Sequence, residues 1–293
     1  MTRSRAHTPL LSWPALVFLT VFMLIPLALM AYISFLERAS FGGVQWGHYT
    51  LAAYEKLIFE KDLLGRMAFN QDYLTIFSRS VRLAAGTTLI TLVIGFPTAF
   101  YMTSLSPRMA AFFLFLVTIP FWTNLLVRNF AWILILRNGG PFERLLDGLG
   151  LITSPLDILY TPFATAIGLT YSFLPFMILP IYVTLERIDR RLIEAAFDLG
   201  ADRWNVLQRI VLPLAIPGIA AGAVLVFVPC LGAYVSPELL GGGKSMMIGN
   251  LVQAQFGAAR NWPFGAALAL VLVLIMLAAM AIAAQFRRRE NLA

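Results

Sequence analysis

The sequence predicts an all-α, polytopic membrane protein with six transmembrane helices. Three observations lead to this fold class: 59% of the 293 residues are hydrophobic, only 13% are charged, and the apolar residues gather into long windows. A soluble domain carries roughly 25% charged residues, so the deficit is too large for an ordinary core. About 20 consecutive apolar residues are enough for a helix to cross the hydrocarbon layer of a bilayer.

Six windows reach this length and define the predicted spans: 11–36, 81–103, 110–136, 158–184, 212–231 and 264–286. Arg3 and Arg5 precede the first window, as in a secretory signal. Its apolar stretch exceeds the roughly 7–15 residues of a signal peptide, and no A-x-A cleavage site follows, so we interpret it as a retained span. The outer segment 37–80 mixes charged and aromatic residues and predicts a small, partly helical cap. We expect 1–293 to form a single transmembrane domain.

The distribution of basic residues predicts the orientation, because short cytoplasmic loops retain an excess of Lys and Arg. With the N-terminus inside, the short inner segments hold 11 of the 22 basic residues. These are Arg3, Arg5, Arg108, Arg187, Arg190, Arg191, Arg203, Arg209, Arg287, Arg288 and Arg289. We therefore expect both termini to lie in the cytoplasm. The same retention accounts for the net charge of +7, which we do not interpret as nucleic-acid binding.

The fifth span carries a G-x-x-x-G step at Gly218 and Gly222. Small residues at this spacing let two helices approach closely in a membrane. The step predicts helix packing within the chain or between subunits, and it gives no information about a substrate.

The loop between the fourth and fifth spans, 185–211, is the longest polar stretch on the predicted inner side. Asp189 suits a helix N-cap, and Gly200 suits a helix end, where the left-handed backbone conformation is common. Between them an apolar stripe recurs at the spacing of one helix face: Leu192, Ala195, Ala196 and Leu199. Periodicity alone fits either an amphipathic connector on the membrane or a surface for another protein. The narrow, alanine-rich stripe favours the protein partner over lipid.

Seven residues of this loop resemble a known motif. They are Glu194, Ala195, Ala196, Gly200, Ile210, Leu212 and Pro213, in the spacing EAA-x3-G-x9-I-x-L-P. This spacing is similar to the EAA motif of the permease subunits of bacterial ABC importers. The resemblance implies the type I permease fold of those importers and a location in the bacterial inner membrane. It also implies that these seven residues couple the chain to an ATP-binding cassette ATPase and that none of them is catalytic.

Longer segments are similar to one branch of that family, the spermidine/putrescine permease subunits. They are IPFWTNLLVRNFAWILIL (119–136), LPFMILPIY (174–182), GAYVSPELLGGGK (232–244) and NWPFGAA (261–267). The resemblance implies polyamine import together with an ATPase dimer that binds ATP and Mg²⁺, a second homologous permease and a periplasmic substrate-binding protein. It implies no cofactor and no enzymatic activity in this chain. Permeases for an amino acid, an opine, a phosphonate or a metal chelate share parts of these segments and remain alternatives.

A polyamine needs carboxylates, hydrogen-bond acceptors and aromatic faces for its ammonium groups. Candidates near the predicted outer mouth are Glu238, Tyr234, Trp122, Asn124 and Tyr171. Three of them have a structural alternative: a salt bridge to Lys244 for Glu238, an interfacial anchor for Trp122, and a hydrogen bond between helices for Asn124. Arg128 would repel a polycation, so it either faces away from the path or argues against a polyamine.

Other classes of protein fit the sequence less well. A stand-alone secondary transporter needs ion-coupling carboxylates at mid-membrane, and the predicted spans contain almost none. A membrane-embedded enzyme needs His, Asp or Glu clustered at one membrane face. Gly241–Ser245 ends like a P-loop, but Glu238 occupies the place of the first glycine and no strand precedes it. Cys230 is the only cysteine, so we expect no cysteine cluster. His7 and His48 are far apart in the sequence, so we expect neither a metal site nor a catalytic site.

Overall fold

The computed structural model describes residues 8–61, 67–152 and 156–290, and most of them lie in α-helices. Arg3 and Arg5, on which the orientation partly depends, lie outside these ranges. Within the described ranges, five helices are long and apolar enough to cross a membrane, and a bent pair of helices makes a sixth candidate. The all-α, polytopic fold class is therefore confirmed.

The elements follow one another in this order: α1 (Thr8–Ser34), β1 (Leu36–Arg38), β2 (Val44–Tyr49), α2 (Ala52–Ile58), β3 (Phe59–Lys61), β4 (Met67–Phe69), α3 (Gln71–Thr103), α4 (Pro107–Trp122), α5 (Leu125–Leu136), α6 (Pro141–Gly148), α7 (Pro162–Glu186), α8 (Arg190–Asp198), α9 (Arg203–Val206), a π-helical turn (Leu207–Val211), α10 (Leu212–Leu231), α11 (Val235–Gly241), α12 (Ile248–Phe256) and α13 (Trp262–Glu290). They form two compact units. The first contains the described residues up to Tyr73 together with Val252–Val273. The second contains Leu74–Leu251 and the described residues from Leu274 onward.

The predicted third span, 110–136, corresponds to a bent pair of helices rather than to one straight helix. The helical segments on either side of Thr123 and Asn124 are bent by 94°. The carbonyl oxygen of Pro120 accepts hydrogen bonds from Thr123 Oγ1 (2.7 Å) and Arg128 Nη1 (2.8 Å), which satisfy the end of α4. Asn124 Oδ1 then accepts the Leu126 N–H (2.8 Å) and caps the start of α5. The break is made by side-chain hydrogen bonds, so an uninterrupted apolar window does not reveal it.

The first unit holds the described residues of the outer segment 37–80 as far as Tyr73, and this segment differs from its prediction in two ways. It contains the short helix α2, but also two antiparallel ladders, β1 with β2 and β3 with β4. Helix α3 begins at Gln71 rather than at 81, because Asn70 Oδ1 accepts the Asp72 N–H (3.1 Å) and starts the helix ahead of the apolar window. The β1–β2 turn is fixed by the Gly43 N–H, which donates to the Arg260 carbonyl (2.8 Å).

The second unit is organised around α7, which packs along α10. A Cβ atom added to Gly218 would lie 2.5 Å from Thr184 Oγ1 and 2.8 Å from the Pro180 carbonyl oxygen. At Gly222 it would lie 2.8 Å from Met177 Sδ. The G-x-x-x-G step therefore packs α10 against α7 of the same chain, which decides between the two possibilities left by the sequence. Ala99 and Met102 of α3 complete this core.

Candidate coupling loop and substrate-path residues

The predicted coupling loop folds as two capped helices joined by the four residues 199–202. Asp189 accepts the Arg191 N–H (3.0 Å) and begins α8, as the sequence predicts. The chain leaves α8 at Gly200, whose φ is +83°. Gly200 N–H donates to the Phe197 carbonyl (2.9 Å) and Ala201 N–H to the Ala196 carbonyl (3.0 Å), which is the pair of bonds of a Schellman motif. Asp202 caps α9, so both helices of this α8–α9 hairpin have fixed ends.

The apolar stripe of α8 divides into two parts. Ala196 packs against the core of the second unit together with Ile193. Leu192, Ala195 and Leu199 stay exposed, and the exposed fraction of Leu199 is 89%. Glu194 is exposed as well, but helical spacing places it on the opposite side of α8 from this uncovered edge. Because Leu192, Ala195 and Leu199 are spaced at i, i+3 and i+7, the edge forms one continuous apolar ridge. The sequence placed Leu192 and Leu199 on the stripe but did not identify them as contact residues.

The second half of the motif joins the hairpin to α10. The π-helical turn runs directly from α9 into α10, and the Leu212 N–H bonds to the Leu207 carbonyl five residues back. Pro213 has no N–H and therefore cannot continue the α-helical ladder to the Arg209 carbonyl, which favours a wider turn here. Ile210 is half-buried, whereas Leu212 and Pro213 are exposed. The helical path from α9 through α10 is thus unbroken.

A cavity of about 770 Å³ lies behind the hairpin. The turn between α3 and α4 lines one side, and α8, α9 and the π-helical turn line the other. Its lining is mainly apolar, with Glu186, Glu194 and Arg203 as the charged groups. The hairpin therefore packs on the core along one edge only and leaves a space of this size beside it.

Three of the substrate-path candidates lie around the break between α4 and α5. Trp122 ends α4 and is 83% exposed. Asn124 is the N-cap of α5, so its oxygen has a structural partner. The ring of Tyr171, on α7, has Arg128 over it at 5.8 Å and Trp132 edge-on at 5.6 Å. The Arg128 guanidinium donates to the Pro120 carbonyl at the helix break and also lies over one face of the Tyr171 ring.

The other two candidates, Tyr234 and Glu238, lie on α11 and the residue before it, at the far end of α10 from the coupling loop. They are four residues apart, so they share one face, and both are exposed. Glu238 Oε2 accepts a hydrogen bond from Asn250 Nδ2 (2.9 Å). Among the described side chains, that amide is the partner found for the carboxylate, and Lys244 makes no ion pair with it. Sequence reasoning did not identify Asn250.

The glycine-rich segment that resembles the end of a P-loop is a turn. Gly242 and Gly243 have positive φ values of 57° and 74° and follow the end of α11. The Tyr160 ring lies against Gly242 closely enough that a Cβ atom there would be 2.5 Å from Cδ1. A helix, rather than a strand, precedes this turn.

The family model that matches residues 85–291 is the binding-protein-dependent transport system inner membrane component. This chain belongs to that family: it is a multi-pass inner-membrane permease of the ABC-transporter type. The spermidine/putrescine transport system permease protein PotB of Escherichia coli K12 is 37% identical over 258 residues, covering 88% of this chain and 90% of that protein. PotB of Haemophilus influenzae is 39% identical over 258 residues, covering 88% and 86%.

Solved structures agree with this fold. A chain of the bacterial alginate ABC transporter, in complex with alginate pentasaccharide-bound periplasmic protein, matches with a TM-score of 0.74 at 15% identity and covers 96% of this chain and 94% of that chain. A chain of the MetNI methionine ABC transporter matches with a TM-score of 0.54 at 18% identity and covers 74% and 95%. At these identities the likeness concerns the fold alone, which is that of ABC-transporter permeases.

Proposed function

We propose that this chain is the permease subunit of an ATP-driven, binding-protein-dependent importer of polyamines such as putrescine and spermidine. The observation that carries the proposal is 37–39% identity, across 88% of the chain, to permeases named for spermidine and putrescine transport. The complete EAA-type spacing, on a hairpin that leaves an apolar ridge exposed, supports the coupling role.

The partners follow from this role. An ATP-binding cassette ATPase dimer binds ATP and Mg²⁺ and carries out hydrolysis, and this chain contributes no cofactor. A second, homologous permease supplies the other half of the pathway, and a periplasmic binding protein delivers the solute. The α8–α9 hairpin and both termini face the cytoplasm in this arrangement, while α6 and α11 face outward.

The mechanism is alternating access without chemistry in this chain. The ridge of Leu192, Ala195 and Leu199 docks on the ATPase, and Glu194, on the opposite side of α8, places a charge next to the cavity. When the ATPase dimer closes, the hairpin moves, and the cavity beside it provides the space for that movement. The continuous helical path through Pro213 transmits the displacement to α10, and the close contact of Gly218 with α7 carries it into the rest of the unit.

The solute enters at the opposite end of α10. Glu238 and Tyr234 offer a carboxylate and an aromatic ring on one exposed face, which are the groups that an ammonium ion recognises. Trp122 and Asn124 lie at the α4–α5 break and remain secondary candidates. Tyr171 is a weaker one, since Arg128 covers one face of its ring.

Co-purification with the ATPase subunit tests the coupling role. We expect the double substitution Glu194→Arg with Ala195→Trp to abolish the complex, because it adds bulk at the exposed edge and reverses the motif's charge on the opposite side of α8. The matched control makes the same kinds of change on the exposed face of α2, with Glu55→Arg and Ala52→Trp, and it should leave the complex intact. A normal yield of complex from the first variant would show that the hairpin is not the docking surface.

ATP hydrolysis by the reconstituted complex tests the substrate. Binding protein loaded with putrescine or spermidine should stimulate hydrolysis above the level reached with empty binding protein. Equal stimulation by loaded and empty protein, with a specific response to an amino acid, opine, phosphonate or metal chelate, would replace the polyamine by that solute while leaving the permease role in place.

A further inference from the structure

Asn250 lies at the start of α12, where its side chain connects three different segments. Only 3% of the residue is exposed. Its Nδ2 donates to the Tyr234 carbonyl (2.9 Å) and to Glu238 Oε2 (2.9 Å), and its Oδ1 accepts the Met247 N–H (3.2 Å). The backbone N–H of Met247 can only donate, so the amide oxygen must face it and the NH₂ group must face Tyr234 and Glu238. The orientation of the amide is therefore determined by its partners.

The backbone around Asn250 is fixed as firmly as its side chain. The Ile248 N–H donates to Ser80 Oγ of α3 (2.8 Å). A Cβ atom on Gly249 would lie 2.6 Å from the Gly232 carbonyl oxygen and 2.7 Å from that of Ala233, so the start of α12 lies directly against the end of α10. A residue larger than glycine could not be accommodated there without displacing backbone. The backbone that carries the Asn250 amide is therefore held in place by contacts with α3 and with the end of α10.

The neutral character of Asn250 matters for the charge of Glu238. A hydrogen bond from an amide orients a carboxylate without cancelling its charge, whereas a lysine or arginine would neutralise it. The nearby cations to consider are Lys244, which follows Glu238 along the chain, and Arg79, which bonds to the backbone of Lys244. Among the described side chains, neither of them pairs with Glu238. Arg79 Nη1 donates to the Lys244 carbonyl (3.1 Å) instead. The negative charge of Glu238 is therefore held in place and left available.

We propose that Asn250 is a positioning residue that holds the Glu238 carboxylate beside the Tyr234 ring, so that the pair binds one ammonium group of the transported polyamine. This inference rests on the proposed function and adds the residue that orients the cation site. Asn250 itself need not touch the solute. Its bond to the Tyr234 carbonyl fixes the start of α11, and its bond to Glu238 fixes the carboxylate one turn later.

The test is the initial rate of putrescine and spermidine uptake by proteoliposomes of the complete complex, with saturating loaded binding protein. Glu238→Gln removes the charge, and Asn250→Asp replaces the donor by a second carboxylate. Each should lower uptake about tenfold, the factor expected for loss of one hydrogen bond to a charged group. Basal ATP hydrolysis without binding protein and the melting temperature of the complex report whether the fold is preserved.

The double variant Glu238→Gln with Asn250→Asp separates positioning from a merely structural role. It restores one amide and one carboxylate at the same two positions, and we expect uptake to recover to within about threefold of the unsubstituted complex. The Tyr234 carbonyl lacks its donor both in Asn250→Asp and in the double variant. If loss of that bond caused the defect, the double variant would be as impaired as Asn250→Asp, and the inference would be overturned.

Glu238→Asp provides a test that leaves Asn250 untouched. It retains the charge but withdraws the carboxylate from the amide by one methylene, so uptake should fall toward that of Glu238→Gln. Full uptake by Glu238→Asp, or by Asn250→Asp, would overturn the positioning role while the polyamine function stands. Absence of polyamine uptake by the unsubstituted complex would overturn both the function and the inference.

Discussion

Replacing Gly218 by alanine tests the contact through which α10 meets α7. The added Cβ atom would lie 2.5 Å from Thr184 Oγ1 and 2.8 Å from the Pro180 carbonyl oxygen, and ordinary contact begins at 3.4 Å. The two oxygens would have to retreat by about 0.9 and 0.6 Å. Thr184 Oγ1 already donates to that carbonyl (2.9 Å), and the carbonyl belongs to the backbone, so neither atom moves independently. Overpacking of this kind costs about 1–3 kcal/mol.

The melting temperature of the purified complex, followed by tryptophan fluorescence, measures this cost. A loss of about 1–3 kcal/mol should lower it by roughly 2–12 °C, at about 2–4 °C per kcal/mol. Gly86→Ala in α3 is the matched control, because no heavy atom lies within 4 Å of its Cβ position. Adding Thr184→Ala to Gly218→Ala should recover only part of the loss, since the Pro180 carbonyl remains. Equal melting temperatures for Gly218→Ala and Gly86→Ala would refute the reasoning.

Three further predictions concern the loop, the helix break and the orientation. Gly200→Ala places a side chain at a φ of +83° with open space around it, so its cost of about 1 kcal/mol comes from the backbone conformation alone. Co-purification with the ATPase should weaken, and Gly200→Asn should weaken it less because asparagine tolerates this conformation better. Equal losses for the two variants would contradict this reasoning. Asn124→Ala should lower the melting temperature by the loss of a cap, about 1 kcal/mol, while Asn124→Asp keeps the acceptor and should not. In a Cys230→Ala background, an impermeant thiol reagent added outside should label Arg144→Cys on α6 and leave Asp198→Cys on α8 unlabelled; the reverse pattern would invert the orientation.

Features that depend on neighbouring residues were predicted correctly from the sequence. Asp189 and Gly200 mark the two ends of α8, because capping and the left-handed backbone conformation are decided within one helical turn. The apolar windows identified the spanning helices for the same reason, since hydrocarbon selects for length and composition. The family followed from seven residues in one loop.

Features made by contacts between distant residues were not predicted. The bend between α4 and α5 depends on Arg128 reaching back eight residues to the Pro120 carbonyl. The sequence offered Lys244 as a salt-bridge partner for Glu238, but the fold brings the amide of Asn250 to the carboxylate instead. In both cases the hydrogen bond joins residues of two different helices, so the pattern within either helix does not reveal it.

Local composition and spacing are enough to show that this protein crosses a membrane as helices, that it belongs with the ABC-importer permeases, and which loop carries the coupling motif. The folded chain was needed to show that the G-x-x-x-G step packs within the chain, that α8 leaves Leu192 and Leu199 exposed, and that Asn250 bonds to Glu238. These features depend on which helices become neighbours. The free energy that favours one packing arrangement is distributed over the whole core, so no single segment of the sequence reveals it.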